Sequence, residues 1–191
     1  NNGFLMGKSF FLGHSRLSII DTSSKSNQPM TDKDLSLSVI FNGVIYNYLD
    51  LKKRLQNKGY TFDTDGDTEV ILKAYHHYGE ECVKYFDGIF AFCIHDKLNK
   101  IFFLSRDRFG IKPLYYRINK DYFMFSSTMI PLIDNDEKIN NDALNYHFFL
   151  HSSVPAPDTI FSSIKKLPPG NNLIVTESGK VSQKQYYSII D

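Results

Sequence analysis

The stretch "GIFAFCIHD", residues 88–96, constrains the fold more than any other. Read as a strand, it places Phe90, Phe92 and Ile94 on one face and Ile89, Ala91 and Cys93 on the other. Both faces are largely apolar, so both must be covered, and the strand belongs inside a layered stack. Further strand-like runs are "FFLGHSRLSII", "LSLSVIFNG", "KIFFLSRD", "PLYYRINK", "DYFMFSS" and "NLIVTE", mostly bounded by Gly, Pro, Asn or Asp. Their short connections imply antiparallel hairpins.

Three helices fit between and after the strands. Asn47 is placed to cap "YLDLKKRLQNK", with Tyr48, Leu51 and Leu55 on one face and Gly59 as a stop. Asp67 is placed to cap "TEVILKAYHHY", with Val70, Ile71, Ala74 and Tyr78 on one face before Gly79. The third runs from Asp142 to Leu150 and ends ahead of "VPAP". Strands in two groups with helices beside them predict sheets packed on each other and covered by helices.

A chain of 191 residues, 42% hydrophobic, buries one sizeable core, so one domain is expected over 1–191. Lys+Arg 22 against Asp+Glu 21 leaves no basic stripe to follow a phosphate backbone, which argues against nucleic acid as a partner. No apolar run approaches the roughly 20 residues that span a bilayer, so no membrane span is expected. Two cysteines, Cys82 and Cys93, lie outside any metal-ligand spacing and read as reduced thiols of a cytoplasmic protein. The first residue is Asn1 rather than Met, and the expectation is a piece of a longer product.

His147 and His151 have the separation of two metal ligands on a helix, but "HFFLH" has no central Glu and suggests no third ligand. They read as surface or packing histidines, and no metal is expected. His76 and His77 face different ways on a helix. No glycine-rich nucleotide loop is present. "SRDRFGIKPLYY", residues 105–116, reads as a turn through Gly110 and Pro113 with Arg106, Asp107, Arg108 and Lys112 in a charge network.

Three polar positions stay open between a structural and a chemical reading. Arg16 either pairs with a fold carboxylate or offers a bidentate fork to a ligand carboxylate. Asp67 either caps its helix or holds a cation such as a substrate ammonium. Asn42-Gly43, in "VIFNGVIYNY", either makes a bulge or turn or presents a side-chain amide and a backbone N–H to a developing oxyanion. Together they describe a pocket able to bind an amino acid and hydrolyse its side-chain amide.

In order along the chain, "GHSRLSIID", "NQPM", "FNGVIYNY", "GDTEVILKAY", "GIFAFCIHD", "RDRFGIKPLYY" and "IKKLPPG" resemble the glutamine amidotransferase domain of the asparagine synthetase family. The resemblance implies an N-terminal nucleophile hydrolase fold: a four-layer α-β-β-α sandwich of two antiparallel sheets between helical layers. It implies glutamine as substrate, with ammonia passed to a C-terminal synthetase domain of the same chain that uses ATP and Mg. No cofactor is expected in the domain itself. By the same resemblance Arg16 holds the glutamine α-carboxylate, and the backbone of Leu17, Ser18, Ile19 and Ile20 lines the pocket. Asp67 takes the α-ammonium, and Asn42 and Gly43 form the oxyanion hole, the strand being interrupted for that purpose.

The sequence departs from the family pattern in three ways. The family's catalytic cysteine, whose own α-amino group is the base, has no counterpart here, so the nucleophile segment is expected to be missing. These residues alone are then expected to be inactive. The family's NGE triplet reads Asn42-Gly43-Val44, which removes a carboxylate contact to glutamine, and its SSE phrase reads Ser126-Ser127-Thr128. Val44 and Thr128 motivate the alternative of a catalytically inactive ligand-binding or scaffold domain in a synthetase that uses ammonia or another amine. A sheet lacking an inner strand exposes its edge, and association is the expected consequence, a homodimer being its simplest form.

Overall fold

The computed structural model describes residues 2–15 and 24–189. The strands are β1 (Asn2–Met6), β2 (Phe11–Ser15), β3 (Met30–Asp32), β4 (Leu37–Ile45), β5 (Gly88–Asp96), β6 (Ile101–Arg106), β7 (Tyr115–Ile118), β8 (Phe123–Ser126), β9 (Ile164–Lys166), β10 (Asn171–Thr176) and β11 (Val181–Gln185). The α-helices are α1 (Tyr48–Gln56), α2 (Asp67–Tyr78) and α3 (Asn141–Phe149). A six-stranded antiparallel sheet has the order β11-β10-β6-β5-β4-β3, a three-stranded one the order β8-β7-β9, and β1 and β2 form a hairpin.

The alternation of β5 is realised as two cores. Phe90, Phe92 and Ile94 join Val39, Phe41, Ile45 and Phe103 against Leu51, Leu55, Val70, Ile71 and Ala74 of α1 and α2. On the opposite face Ala91 and Cys93 join Leu104, Leu173 and Val175 against Leu12 of the hairpin, with Tyr116, Phe123 and Phe125 packed onto them. Tyr116 points into this second core, so its neighbour Tyr115 points outward. There it lines a cavity with Leu144 and His147 of α3. The layers are therefore α1 and α2, the six-stranded sheet, the hairpin with the three-stranded sheet, and α3. This is the expected α-β-β-α sandwich, with its second sheet layer in two pieces among the described residues.

Of the two proposed helix caps, Asn47 holds the cap position of α1 without a side-chain cap bond, and Asp67 does not hold that of α2. Asn47 makes no side-chain cap; its amide donates to the Tyr85 carbonyl at 2.9 Å and accepts the Asp87 N–H at 3.0 Å, tying α1 to the start of β5. Asp67 is the first helical residue, Gly66 stands at the cap position, and the carboxylate reaches β4 instead. At α3 the cap is Asn140, whose side chain accepts from Asp142 and Ala143 N–H groups. Among the described residues no helix is long and apolar enough to cross a membrane.

Candidate active site

The sequence candidates that are described, Asn42, Gly43, Val44 and Asp67, lie along or beside β4. β3 pairs only with Leu37, Ser38 and Val39, so from Ile40 onward β4 has no strand on that side among the described residues. On its other side β4 pairs with β5 without a break, Asn42 opposite Ala91 and Gly43 opposite Phe90. The strand is thus neither bulged nor turned at Asn42-Gly43, which corrects the expected interruption. Glycine is required for another reason. At φ +153° a Cβ on Gly43 would lie 2.1 Å from the Ile89 carbonyl oxygen and 2.8 Å from Phe90 Cα.

Main-chain groups in an antiparallel strand alternate in direction. Tyr46 N–H bonds the Asp87 carbonyl, so the even residues of this stretch face β5. The odd residues face the open edge, and side chains from other elements hold two of them. The N–H of Phe41 donates to Gln28 Oε1 at 2.6 Å, and its carbonyl accepts from His14 Nε2 at 3.0 Å. The N–H of Ile45 donates to Asp67 Oδ2 at 3.0 Å. Between these two anchors the N–H of Gly43 faces the same edge. Phe90, opposite Gly43, confirms the alternation by bonding away from β4: its N–H donates to Asp107 Oδ2 and its carbonyl accepts from Asp107 N–H.

Asp67 is 6% exposed and sits in the first turn of α2, where the helix dipole favours an anion. It lies at the β4 edge about 7 Å along the strand from Gly43, two residues at 3.4 Å each. Asn42 and Val44 are half-buried, and their side chains share the face of Ile40, toward the second core. The edge thus offers a main-chain donor with a carboxylate beside it, suited to an oxyanion and a nearby cation.

Arg16, Leu17, Ser18, Ile19 and Ile20 lie outside the described residues. The chain enters that segment from His14 and Ser15 and returns through Gln28, and both His14 and Gln28 are bonded to Phe41. Neither had been singled out from the sequence. Each stands in a quoted phrase, "GHSRLSIID" or "NQPM", but a bond to a residue 27 or 13 positions away leaves no local signal.

Below the edge, Glu69 accepts N–H bonds from Asp63 and Thr64 and a hydroxyl bond from Thr64, fixing the approach to α2. Lys73 bonds Asp32 and so ties α2 to the end of β3. Burial acts to raise the Asp32 pKa, but the Lys73 bond and the Leu35 N–H outweigh it and hold the carboxyl below its ordinary range.

The 105–113 turn proves structural, and its charges are not a mutual network. Asp107, 1% exposed, accepts N–H bonds from Phe90, Phe109, Ile111 and Lys112. Arg106 donates to the carbonyls of Lys112, Leu167 and Gly110. Arg108 donates to those of Phe86 and Lys84. Burial lowers the Arg106 pKa and the adjacent Asp107 charge opposes that shift.

Cys82 and Cys93 are fully buried, and burial pushes both thiols far above the range in which a thiolate forms. Neither can serve as nucleophile. His147 is on α3 and His151 beyond its end, so they share no helical face. Among the described residues no three His, Cys, Asp or Glu side chains gather as a metal site.

In fold the chain is similar to the glutamine phosphoribosylpyrophosphate amidotransferase of Bacillus subtilis, with a TM-score of 0.63 over 92% of this chain and 34% of that one at 20% identity. A second solved structure, an allosteric regulatory enzyme of purine biosynthesis, gives 0.62 over the same shares at 18% identity. These likenesses show the class of fold, a layered sandwich of antiparallel sheets between helices. In sequence, residues 1–187 match the family described as "Glutamine amidotransferase domain". The glutamine-hydrolysing asparagine synthetase 1 of Bacillus subtilis is 39% identical over 189 residues, 98% of this chain and 30% of its own length. The glutamine-hydrolysing asparagine synthetase 2 of rice, Oryza sativa subsp. japonica, is 43% identical over 129 residues, 67% of this chain and 21% of its own. The chain belongs to the glutamine amidotransferase domain family, and it spans about a third or less of the length of these asparagine synthetase relatives.

Proposed function

We propose that this domain hydrolyses glutamine at the free edge of β4 and delivers the ammonia to a synthetase domain elsewhere in a longer parent chain. The observation that carries the reading is the Gly43 N–H, aimed at an open strand edge between two anchored residues with the Asp67 carboxylate at one of them. Asp67 takes the α-ammonium and Arg16 the α-carboxylate, with the Leu17 to Ile20 backbone lining the site. Both charged groups carry at neutral pH the sign opposite to the ligand group they bind.

A cysteine thiolate attacks the side-chain amide carbon. As the C–S bond forms, the carbonyl oxygen becomes an oxyanion held by the Gly43 N–H and the Asn42 amide. The C–N bond then breaks, nitrogen leaves protonated as ammonia, and water cleaves the thioester to glutamate and free thiol. With both thiols of this chain buried, the nucleophile belongs to an N-terminal cysteine of the parent, and residues 1–191 alone do not turn over glutamine. ATP and Mg belong to the synthetase domain, which activates a carboxylate for amidation. A cytoplasmic location fits a metabolic enzyme of this kind.

The test is the intact mass of the full-length parent after exposure to a glutamine analogue with an electrophile in its side chain. One adduct on a cysteine outside residues 1–191 is the expected result. No adduct on a folded parent, or an adduct on Cys82 or Cys93, overturns the reading.

A further inference from the structure

Two residues with no assigned role grip the same strand residue. His14 and Gln28 flank the segment that carries Arg16, and both bond the main chain of Phe41. A carbonyl only accepts, so Nε2 of His14 carries the proton of its bond. Gln28 is 7% exposed; its Oε1 takes the Phe41 N–H at 2.6 Å and its Nε2 lies 3.5 Å from Thr68 Oγ1, one residue from Asp67.

We infer that Gln28 is a positioning residue for glutamine hydrolysis, acting through Phe41 to fix the direction of the Gly43 N–H. The inference rests on the functional reading above and deepens it. Glycine is the residue least able to set its own peptide orientation, so that of Gly43 is decided by what holds its neighbours. Ile45 is held by Asp67 on one side, and Phe41 by Gln28 and His14 on the other. Remove the Gln28 acceptor and a buried N–H loses its partner on an edge where, among the described residues, no strand stands to replace it. The strand then shifts at Phe41, and the donor two residues on moves with it.

A neutral amide suits the position. It supplies an acceptor to Phe41 and a donor toward Thr68, and a carboxylate, which only accepts, could not supply both. Gln28 also joins the β4 edge to the start of α2, so the donor and the ammonium-binding carboxylate are set relative to one another by one side chain.

The experiment uses the full-length parent and compares steady-state glutamine hydrolysis and glutamate binding in wild type and Gln28→Leu. The expected result is a fall in kcat of about 30- to 100-fold, since a displacement near 1 Å at a reacting centre costs about that much. KM and glutamate affinity should change by less than about threefold, because the ground-state ligand is held by Arg16 and Asp67. A side chain that merely supported the fold would lower the amount of active enzyme and the melting temperature, with kcat per folded site unchanged. Should Gln28→Leu not fold, Gln28→Asn withdraws the acceptor by one methylene and carries the same expectation. Wild-type hydrolysis with an unchanged kcat in the variant overturns this inference alone. A parent that hydrolyses no glutamine overturns the functional reading and this inference with it.

Discussion

The β4 edge and the 105–113 turn are both dense in polar residues, and they are built in opposite ways. In the turn, the charged side chains Arg106, Asp107 and Arg108 are engaged by main-chain groups of the same small region and its neighbours. At the β4 edge, polar side chains arrive from three separate elements to hold Phe41 and Ile45, and the main chain between them faces outward. A polar cluster that satisfies its own backbone is scaffold. One that anchors a strand on both sides of an outward-facing donor fits the site proposed above. Charge density in the sequence does not separate the two; the direction of the main-chain groups does.

The sharpest break of this contrast is Asp107→Ala. Four N–H groups would lose one acceptor in a place where that carboxylate is almost wholly buried. The expected loss is about 3 kcal/mol or more, read as exchange faster by a factor above about 100 in hydrogen-exchange peptides covering 86–96 and 105–114. A change below about tenfold would show that the turn is not held as described. Asp67→Asn should behave in the opposite way. Its amide oxygen still accepts the Ile45 N–H, so stability should move by less than about 1 kcal/mol, whereas loss of the charge should raise KM for glutamine about 100-fold in the parent. An unchanged KM would remove Asp67 from ammonium binding.

Much of the fold was legible because its signals are local. The two-faced pattern of residues 88–96 predicted a strand between two cores, and Phe92 and Cys93 lie in different ones. β3 and β9 were not legible, since three residues show no period, and neither was β11, whose exposed "SQKQ" has no apolar face to alternate. Asn47 and Asp67 were read as caps because capping propensity is a property of neighbours in sequence. Their hydrogen bonds go to Tyr85, Asp87 and Ile45, at least 22 residues away. Asn42, Gly43 and Asp67 stood out as polar positions and took definite roles from the family's wording, yet the reason for Gly43 lies in the close approach of Ile89, which no spacing along one strand reveals.

The finest test lies inside the site itself, at Val44→Glu. Val44 is half-buried on the face it shares with Asn42, one residue past the Gly43 donor, where the family pattern carries a carboxylate. If the edge works as proposed, a carboxylate at 44 gains a hydrogen bond to the ligand's ammonium or amide. Such a charged bond contributes about 1.5 kcal/mol, so kcat/KM for glutamine in the parent should rise about tenfold. The half-exposed position lets water solvate the new charge, which keeps the cost of placing it there small. No rise in kcat/KM would mean that a side chain at 44, on the face toward the second core, does not reach the ligand, and that the working surface of β4 is its main-chain edge alone.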